Sequence, residues 1–177
     1  RHAADSLRSP LMPDVRQPPA MFSISFESQK SRGRVAIGTI TIGAFAERFE
    51  APLDYWSREA YEAHWREAVS RIVGGHKRSA LITSMIEPLN ANFIVWWPMW
   101  RVGSRVFFQE HLCFLKRLRG DQAFLFPYRH VRARGDHRRG EPRPSEWSTS
   151  ASSLERFLQL PSRLPNPGMQ RTRYARR

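Results

Sequence analysis

Six histidines and one cysteine are the side chains of this 177-residue chain whose types could support catalysis. Two of them, His111 and His130, could form a two-histidine general acid–base pair of the kind that cleaves RNA. The neighbours Glu110 and His111 would point to opposite faces of a strand and therefore cannot act together as a dyad. A histidine ribonuclease is thus one alternative, while our main prediction is that the chain has no catalytic residue and is not an enzyme.

Metal and cofactor chemistry is not predicted either. None of the histidines has metal-ligand spacing to another histidine or to Cys113. Cys113 stands in an apolar segment, where a thiol typically behaves as a small buried hydrophobe rather than as a nucleophile. The sequence therefore predicts no metal site and no cofactor.

A binding surface is predicted at the turn of a long antiparallel hairpin. The aromatic run 93–100, a short connection containing Gly103 and a second apolar segment over 105–115 are typical of two paired strands. Tryptophan and arginine often dominate the binding energy of protein interfaces, and Trp96, Trp100, Arg101 and Arg105 cluster near this turn. The same tryptophans would also suit stacking on single-stranded nucleic acid, which is the second alternative.

The chain is strongly basic, with a formal net charge of +13. Residues 1–20 hold three Arg and two Asp, and residues 161–177 hold five Arg and no acid, which leaves +7 on residues 21–160. This balance is compatible with nucleic acid, an anionic membrane or an acidic protein surface, and it selects none of them. Many of the basic residues fall in one predicted loop, a common place for binding: Arg129, Arg132, Arg134, Arg138, Arg139 and Arg143.

The elements before the hairpin are predicted to be a β-meander and one helix. Alternating apolar residues begin at Phe22 and resume after polar turns, and Gly38 is the candidate bulge. The helix is expected over Arg58–Val73, with Ser57 or Asp54 as its N-cap and the glycines after it as its stop.

The predicted helix carries an apolar stripe that should face the sheet. The stripe consists of Tyr61, Trp65, Ala68, Val69 and Ile72. His64 lies beside it and is expected to be a partly buried structural histidine.

The remaining elements complete an α+β pattern. A strand is expected over 79–86, a short strand at Phe124 and Phe126, an extended segment over 145–149, and a last helix capped by Ser152 or Ser153. Strand runs with few helices between them favour a mostly antiparallel β-sheet packed by one main amphipathic helix and a short C-terminal helix.

The ends of the chain are predicted to lie outside a single α+β domain that spans residues 21–160. Residues 1–20 contain four prolines and no aromatic residue, and we interpret them as a disordered extension upstream of a start at Met21. Residues 161–177 are rich in Pro and Arg and are interpreted as a disordered basic tail.

A cytoplasmic location without membrane contact is expected. The single cysteine precludes a disulfide within the chain, and no signal-peptide pattern or apolar segment of roughly 20 residues is present. The sequence does not predict an oligomeric state.

Several segments, in their order and spacing, resemble the immunity proteins of bacterial contact-dependent growth inhibition systems. The resemblance covers roughly residues 21–160. Its segments are 43–49, Tyr55-Trp56-Ser57 ahead of the helix, 79–85, Asn90-Ala91-Asn92-Phe93, Trp97-Pro98-Met99-Trp100-Arg101 with Gly103, 106–109, and Gly140-Glu141-Pro142 with Ser145-Glu146-Trp147.

The resemblance implies a small non-enzymatic protein that binds a cognate toxin domain tightly, in some relatives a ribonuclease. Our main hypothesis is that the chain neutralises the toxin by occluding its active site. Relatives tend to carry an acidic segment where this chain has its Arg-rich loop, so a basic toxin would need a local acidic patch from Glu47, Glu50, Glu87 and Glu110. Nucleic acid is not expected as the main partner.

Two sets of residues receive predicted roles. Structural roles are expected for Trp56, Trp65 and Trp147. The predicted partner-binding residues are Trp96, Trp100, Arg101, Arg105, Glu110, Arg132, Arg134, Arg138 and Arg139.

Overall fold

A computed structural model describes residues 21–87, 91–115, 126–136 and 144–161 of the chain. The predicted extension over 1–20 and the predicted tail after residue 161 lie outside these ranges, as do Arg138 and Arg139. No helix in the described ranges is long and apolar enough to cross a membrane.

The first sheet is the predicted antiparallel meander. Its strands are β1 (Phe22–Arg32), β2 (Val35–Ile42) and β3 (Phe45–Pro52), in the order β1-β2-β3. The bulge predicted at Gly38 is wrong, because Gly38 pairs with Phe49 in an unbroken register and the irregularity lies in β1, between Phe26 and Ser31. Gly38 instead makes room for the Phe49 ring, since a Cβ at this position would lie 2.3 Å from the ring.

Helix α1 (Arg58–Val73) begins and ends as predicted. The Ser57 hydroxyl accepts a hydrogen bond from the Ala60 N–H at 3.2 Å, and the helix ends at Gly74. The following Gly75 has a φ of +97°, which suits glycine. The predicted stripe is buried in full, and Trp65 keeps only 1% of its surface exposed.

The second sheet is built around the predicted hairpin. Its strands are β4 (Arg78–Ser84), β5 (Phe93–Val102), β6 (Arg105–Phe108), β7 (His111–Phe114) and β8 (Trp147–Ser150). The order is β4-β5-β6-β8, and β7 pairs with the first half of β5. The pairing is antiparallel throughout.

The second arm of the hairpin is divided by a proline in the first arm. Val102 pairs with Arg105 at the tip and Phe93 pairs with Phe114 at the far end, in one continuous register. The gap between β6 and β7 lies opposite Pro98, which has no N–H to donate to the ladder. Gln109 still donates its N–H to the Pro98 carbonyl at 3.3 Å. Thus β6 and β7 are one arm, as predicted.

The end of the domain differs from the prediction in two details. Helix α2 (Ala151–Gln159) is capped by Ser150, whose hydroxyl accepts from the Ser153 N–H, so the caps predicted at Ser152 or Ser153 are wrong. Phe126 precedes one 3-10 turn, Pro127–His130, and does not lie in a strand. Phe124 lies outside the described ranges.

The two sheets contact each other through aromatic side chains, and these antiparallel sheets together with two helices confirm the α+β class. On one face of the hairpin, Phe108 stacks on Phe22 with ring centroids 5.5 Å apart, and Trp97 contacts Phe45 at 6.2 Å. We call this the inner face of the second sheet. Trp147 stacks on Phe45 at 4.0 Å, and Trp56 packs against the core from its rim, so the predicted structural roles of these tryptophans are supported by their contacts.

Candidate functional site

Helix α1 closes the edge of β4 through side-chain hydrogen bonds. The Ile82 N–H donates to His64 Nε2 at 3.0 Å, and Trp65 Nε1 donates to the Ile82 carbonyl at 2.7 Å. One turn earlier, the Tyr61 hydroxyl accepts from the Met85 N–H at 2.7 Å. The backbone N–H and C=O groups of an open strand edge can pair with another chain. Here the side chains of α1 form hydrogen bonds with these groups instead.

The titratable groups of this contact are structural. Burial lowers the pKa of His64 to about 4, with the backbone at Ala80 acting weakly in the opposite direction. Burial also raises the pKa of Tyr61 to about 12, partly offset by its bond to the Met85 backbone. Both groups are therefore neutral near pH 7, and the expected structural role of His64 is confirmed.

His111 and Cys113, two of the side chains considered for catalysis, both lie on β7. His111 Nε2 lies 2.9 Å from Gln109 Oε1. No group of three or more possible metal ligands occurs among the described residues. Cys113 is buried, as its apolar neighbours predicted.

The hairpin face opposite the inner face contacts the segment 126–136, and we call it the loop face. Trp100 Nε1 donates to the Arg132 carbonyl at 2.8 Å, and Arg78 donates to the Val131 carbonyl at 2.9 Å. Only 7% of Trp96 and 6% of Trp100 are exposed. The structure therefore places the two predicted contact tryptophans in the core, and they offer almost no surface to a partner.

Arg101 fastens the hairpin to the end of α1. Its Nη1 donates to the carbonyls of Ile72 at 2.8 Å and Val73 at 3.1 Å, which belong to the last turn of the helix. A cation is favourable at a helix C-terminus because the dipole is negative there. This predicted contact residue therefore already has a structural function.

Two of the predicted contact arginines, Arg105 and Arg134, meet at the Phe107 ring on one small surface, which we call the arginine cluster. Arg134 binds both carboxylate oxygens of Glu146, at 2.9 and 2.6 Å, and its guanidinium lies 3.5 Å from the Phe107 ring centroid. The hydrogen bond to Glu146 raises the pKa of Arg134. Arg105 lies at the same ring, 5.8 Å from its centroid, and donates to the Ser148 hydroxyl.

A second exposed surface lies at the far end of the hairpin, on the inner face beyond the cover of the first sheet. Phe93, Leu112 and Phe114 are 40%, 53% and 50% exposed. Glu110, a predicted contact residue, borders them. Burial, and then the nearby Glu47 carboxylate, raise the pKa of Glu110. Sequence reasoning named both acids but missed the apolar side chains, because nothing in the β7 sequence reveals how far the first sheet reaches.

The comparisons with known proteins point to one family. The family described as "CdiI N-terminal domain" matches residues 51–157. The protein "Immunity protein CdiI" of Enterobacter cloacae subsp. cloacae is 28% identical over 119 residues, which cover 67% of this chain and 81% of that protein.

A solved structure agrees with that family. A chain of the "CdiA-CT/CdiI toxin and immunity complex from Enterobacter cloacae" superposes with a TM-score of 0.68 and 26% identity, covering 78% of this chain and 97% of that chain. The resemblance noted in the sequence is confirmed by these matches: this chain belongs to the CdiI family of contact-dependent growth inhibition immunity proteins.

Proposed function

We infer that this chain binds a cognate contact-dependent growth inhibition toxin domain and neutralises it by occluding the toxin's active site in the cytoplasm. The observation that carries this proposal is the structural match to a chain from a toxin and immunity complex, nearly all of which is covered. The partner is therefore a protein, and the action requires no cofactor and no reaction.

The internal architecture suits inhibition by shape. At the tip of the hairpin, Arg101 donates to carbonyls at the end of α1. At the loop face, backbone carbonyls accept from Trp100 and from Arg78 of the neighbouring strand β4. A surface fixed in advance loses little conformational entropy when it binds, which favours tight association. The groups that could react are already engaged or covered: His64 accepts a hydrogen bond, and Cys113 is buried.

The nucleic-acid alternative loses the feature that suggested it. Stacking on bases requires exposed aromatic faces, and both Trp96 and Trp100 are buried. The protein–protein function is therefore the one that the geometry supports best.

Hydrogen exchange on the complex tests the occlusion mechanism. The probe is an inactivated toxin domain encoded directly upstream of this chain, mixed with the purified chain at equal concentration. We expect the toxin's active-site segments to gain protection from exchange. Protection confined to remote segments would contradict occlusion, and no complex at micromolar concentration would contradict the proposed function itself.

A further inference from the structure

We propose that the toxin domain docks on the exposed end of the hairpin, with apolar side chains on Phe93, Leu112 and Phe114 and a lysine or arginine against Glu47 and Glu110. We call these five residues the β7 surface. The proposal rests on the proposed function and names the surface that performs it.

The apolar part of the β7 surface consists of neighbouring side chains on two paired strands. Phe93 and Phe114 are paired across the hairpin, and their ring centroids lie 6.4 Å apart. Leu112 lies two residues from Phe114 and therefore projects from the same side of the sheet. Three adjacent large apolar side chains on a regular sheet are unusual for a free surface and typically mark an interaction site.

The location explains why these side chains are uncovered. They share the inner face with Trp97, which β3 covers through Phe45. Beyond Trp97 the hairpin continues to Phe93, and the exposure of Phe93, Leu112 and Phe114 rises to between 40% and 53%. The apolar part of the β7 surface therefore extends past the edge of the first sheet.

The two acidic residues of the β7 surface, Glu47 and Glu110, favour a partner with a basic side chain at this position. Glu110 lies opposite Trp97 in the hairpin register, and Glu47 lies two residues after Phe45 on β3. Both carboxylates therefore border the apolar part of the β7 surface. Neither forms an ion pair with a cation among the described residues, whereas Glu27 binds Arg48 and Glu146 binds Arg134.

Two neighbouring carboxylates repel each other, and a cation placed between them relieves the repulsion. The chain as a whole is basic, at +13, so a basic partner would be repelled by most of its surface. The β7 surface offers such a partner a local acidic site, and this restricts the orientation in which it binds. The arginine cluster is less suitable as the main contact, because its Arg134 is already neutralised by Glu146.

Calorimetric titration of the inactivated upstream toxin domain into the full chain tests the proposal. Leu112→Ser combined with Phe114→Ser should raise the dissociation constant at least about tenfold. This is the effect of losing one or two contacts central to an interface. The matched control is Val102→Ser at the other end of the hairpin, where Val102 is also 53% exposed. This control should bind like the original chain.

The acids are tested in the same titration. Glu110→Gln should weaken binding by about tenfold and reduce its salt dependence, because a charge pair is lost. The matched control is Glu155→Gln at an exposed position of α2, which should leave the affinity unchanged. Circular dichroism melting curves of each variant verify that it is folded.

The outcomes separate the surface from the function. If the original chain binds the toxin and the β7 variants bind equally well, the docking surface is wrong and the immunity function stands. Light scattering could instead show a dimer of the original chain that becomes a monomer in the Leu112→Ser and Phe114→Ser variant. A second copy would then occupy the β7 surface, and the docking proposal would also be overturned. If the original chain does not bind the toxin at all, the function itself fails.

Discussion

The Arg101 guanidinium lies against the C-terminal carbonyls of α1, donating to the Ile72 carbonyl at 2.8 Å. This contact ties the tip of the hairpin to the helix that closes the edge of β4. Arg101 therefore stabilises the scaffold that presents the binding surfaces, rather than standing free as a contact.

Arg101→Ala should lower the free energy of unfolding by about 1.5–3 kcal/mol, because it removes charged hydrogen bonds from partly buried carbonyls. Arg105→Ala is the control: it removes an exposed bond to Ser148 and should cost less than about 0.5 kcal/mol. Urea denaturation measures both. Equal losses for the two variants would contradict the capping role of Arg101.

Trp65→Ala should cost about 3–5 kcal/mol, because the ring is buried and its Nε1 satisfies the Ile82 carbonyl. Trp65→Phe retains most of the packing and loses the hydrogen bond, so it should cost less. Comparing the two variants by urea denaturation separates packing from edge closure. A loss below about 1 kcal/mol for the alanine variant would show that the α1 stripe is not the core contact.

Gly38→Ala should destabilise the first sheet, since the added Cβ would lie 2.3 Å from the Phe49 ring. That ring packs on Trp65 and Phe26 and cannot move away freely. The expected cost is about 1–3 kcal/mol, as for other overpacked sites. Adding Phe49→Leu should recover part of the loss, and a fully additive double variant would contradict the steric explanation.

Acid should destabilise the protein through His64. Its pKa is lowered to about 4 in the folded state from 6.5, so the unfolded chain binds a proton there that the folded chain does not. Stability from this group is complete above pH 6.5 and is lost as the pH falls from 6.5 towards 4, with a slope of at most about 1.4 kcal/mol per pH unit.

His64→Gln provides the control for the pH experiment, because a glutamine oxygen can still accept from the Ile82 N–H without titrating. The stability difference between the original chain and this variant, measured by urea denaturation at pH 7, 6 and 5, should shrink as the pH falls. A difference that is constant over this range would contradict the assigned pKa.

Local patterns predicted most of the fold. The stripe of α1, its Ser57 cap and the antiparallel hairpin around Gly103 all follow from spacing within a few residues, and each is confirmed. The division of the second arm is also local in origin, since Pro98 removes one N–H from the ladder, although it affects residues across the turn.

The candidate site depended on contacts between distant segments and was therefore predicted less well. Trp96 and Trp100 are both buried, and the sequence does not show that Trp100 donates to the backbone of the distant 126–136 segment. Arg101 seemed free because its partners, the carbonyls of Ile72 and Val73, carry no side-chain signature. Glu110 remains a predicted contact. Its apolar neighbours Phe93, Leu112 and Phe114 could be recognised as exposed only once the packing of the two sheets was known.

Growth of co-expressing cells tests whether this chain protects a cell by binding one toxin. The toxin domain encoded directly upstream is induced with the original chain, with the Leu112→Ser and Phe114→Ser variant, or with an empty vector. We expect growth with the original chain, impaired growth with the variant and none with the vector. Arrest in the presence of the correctly folded original chain would show that it is not the immunity protein of that toxin.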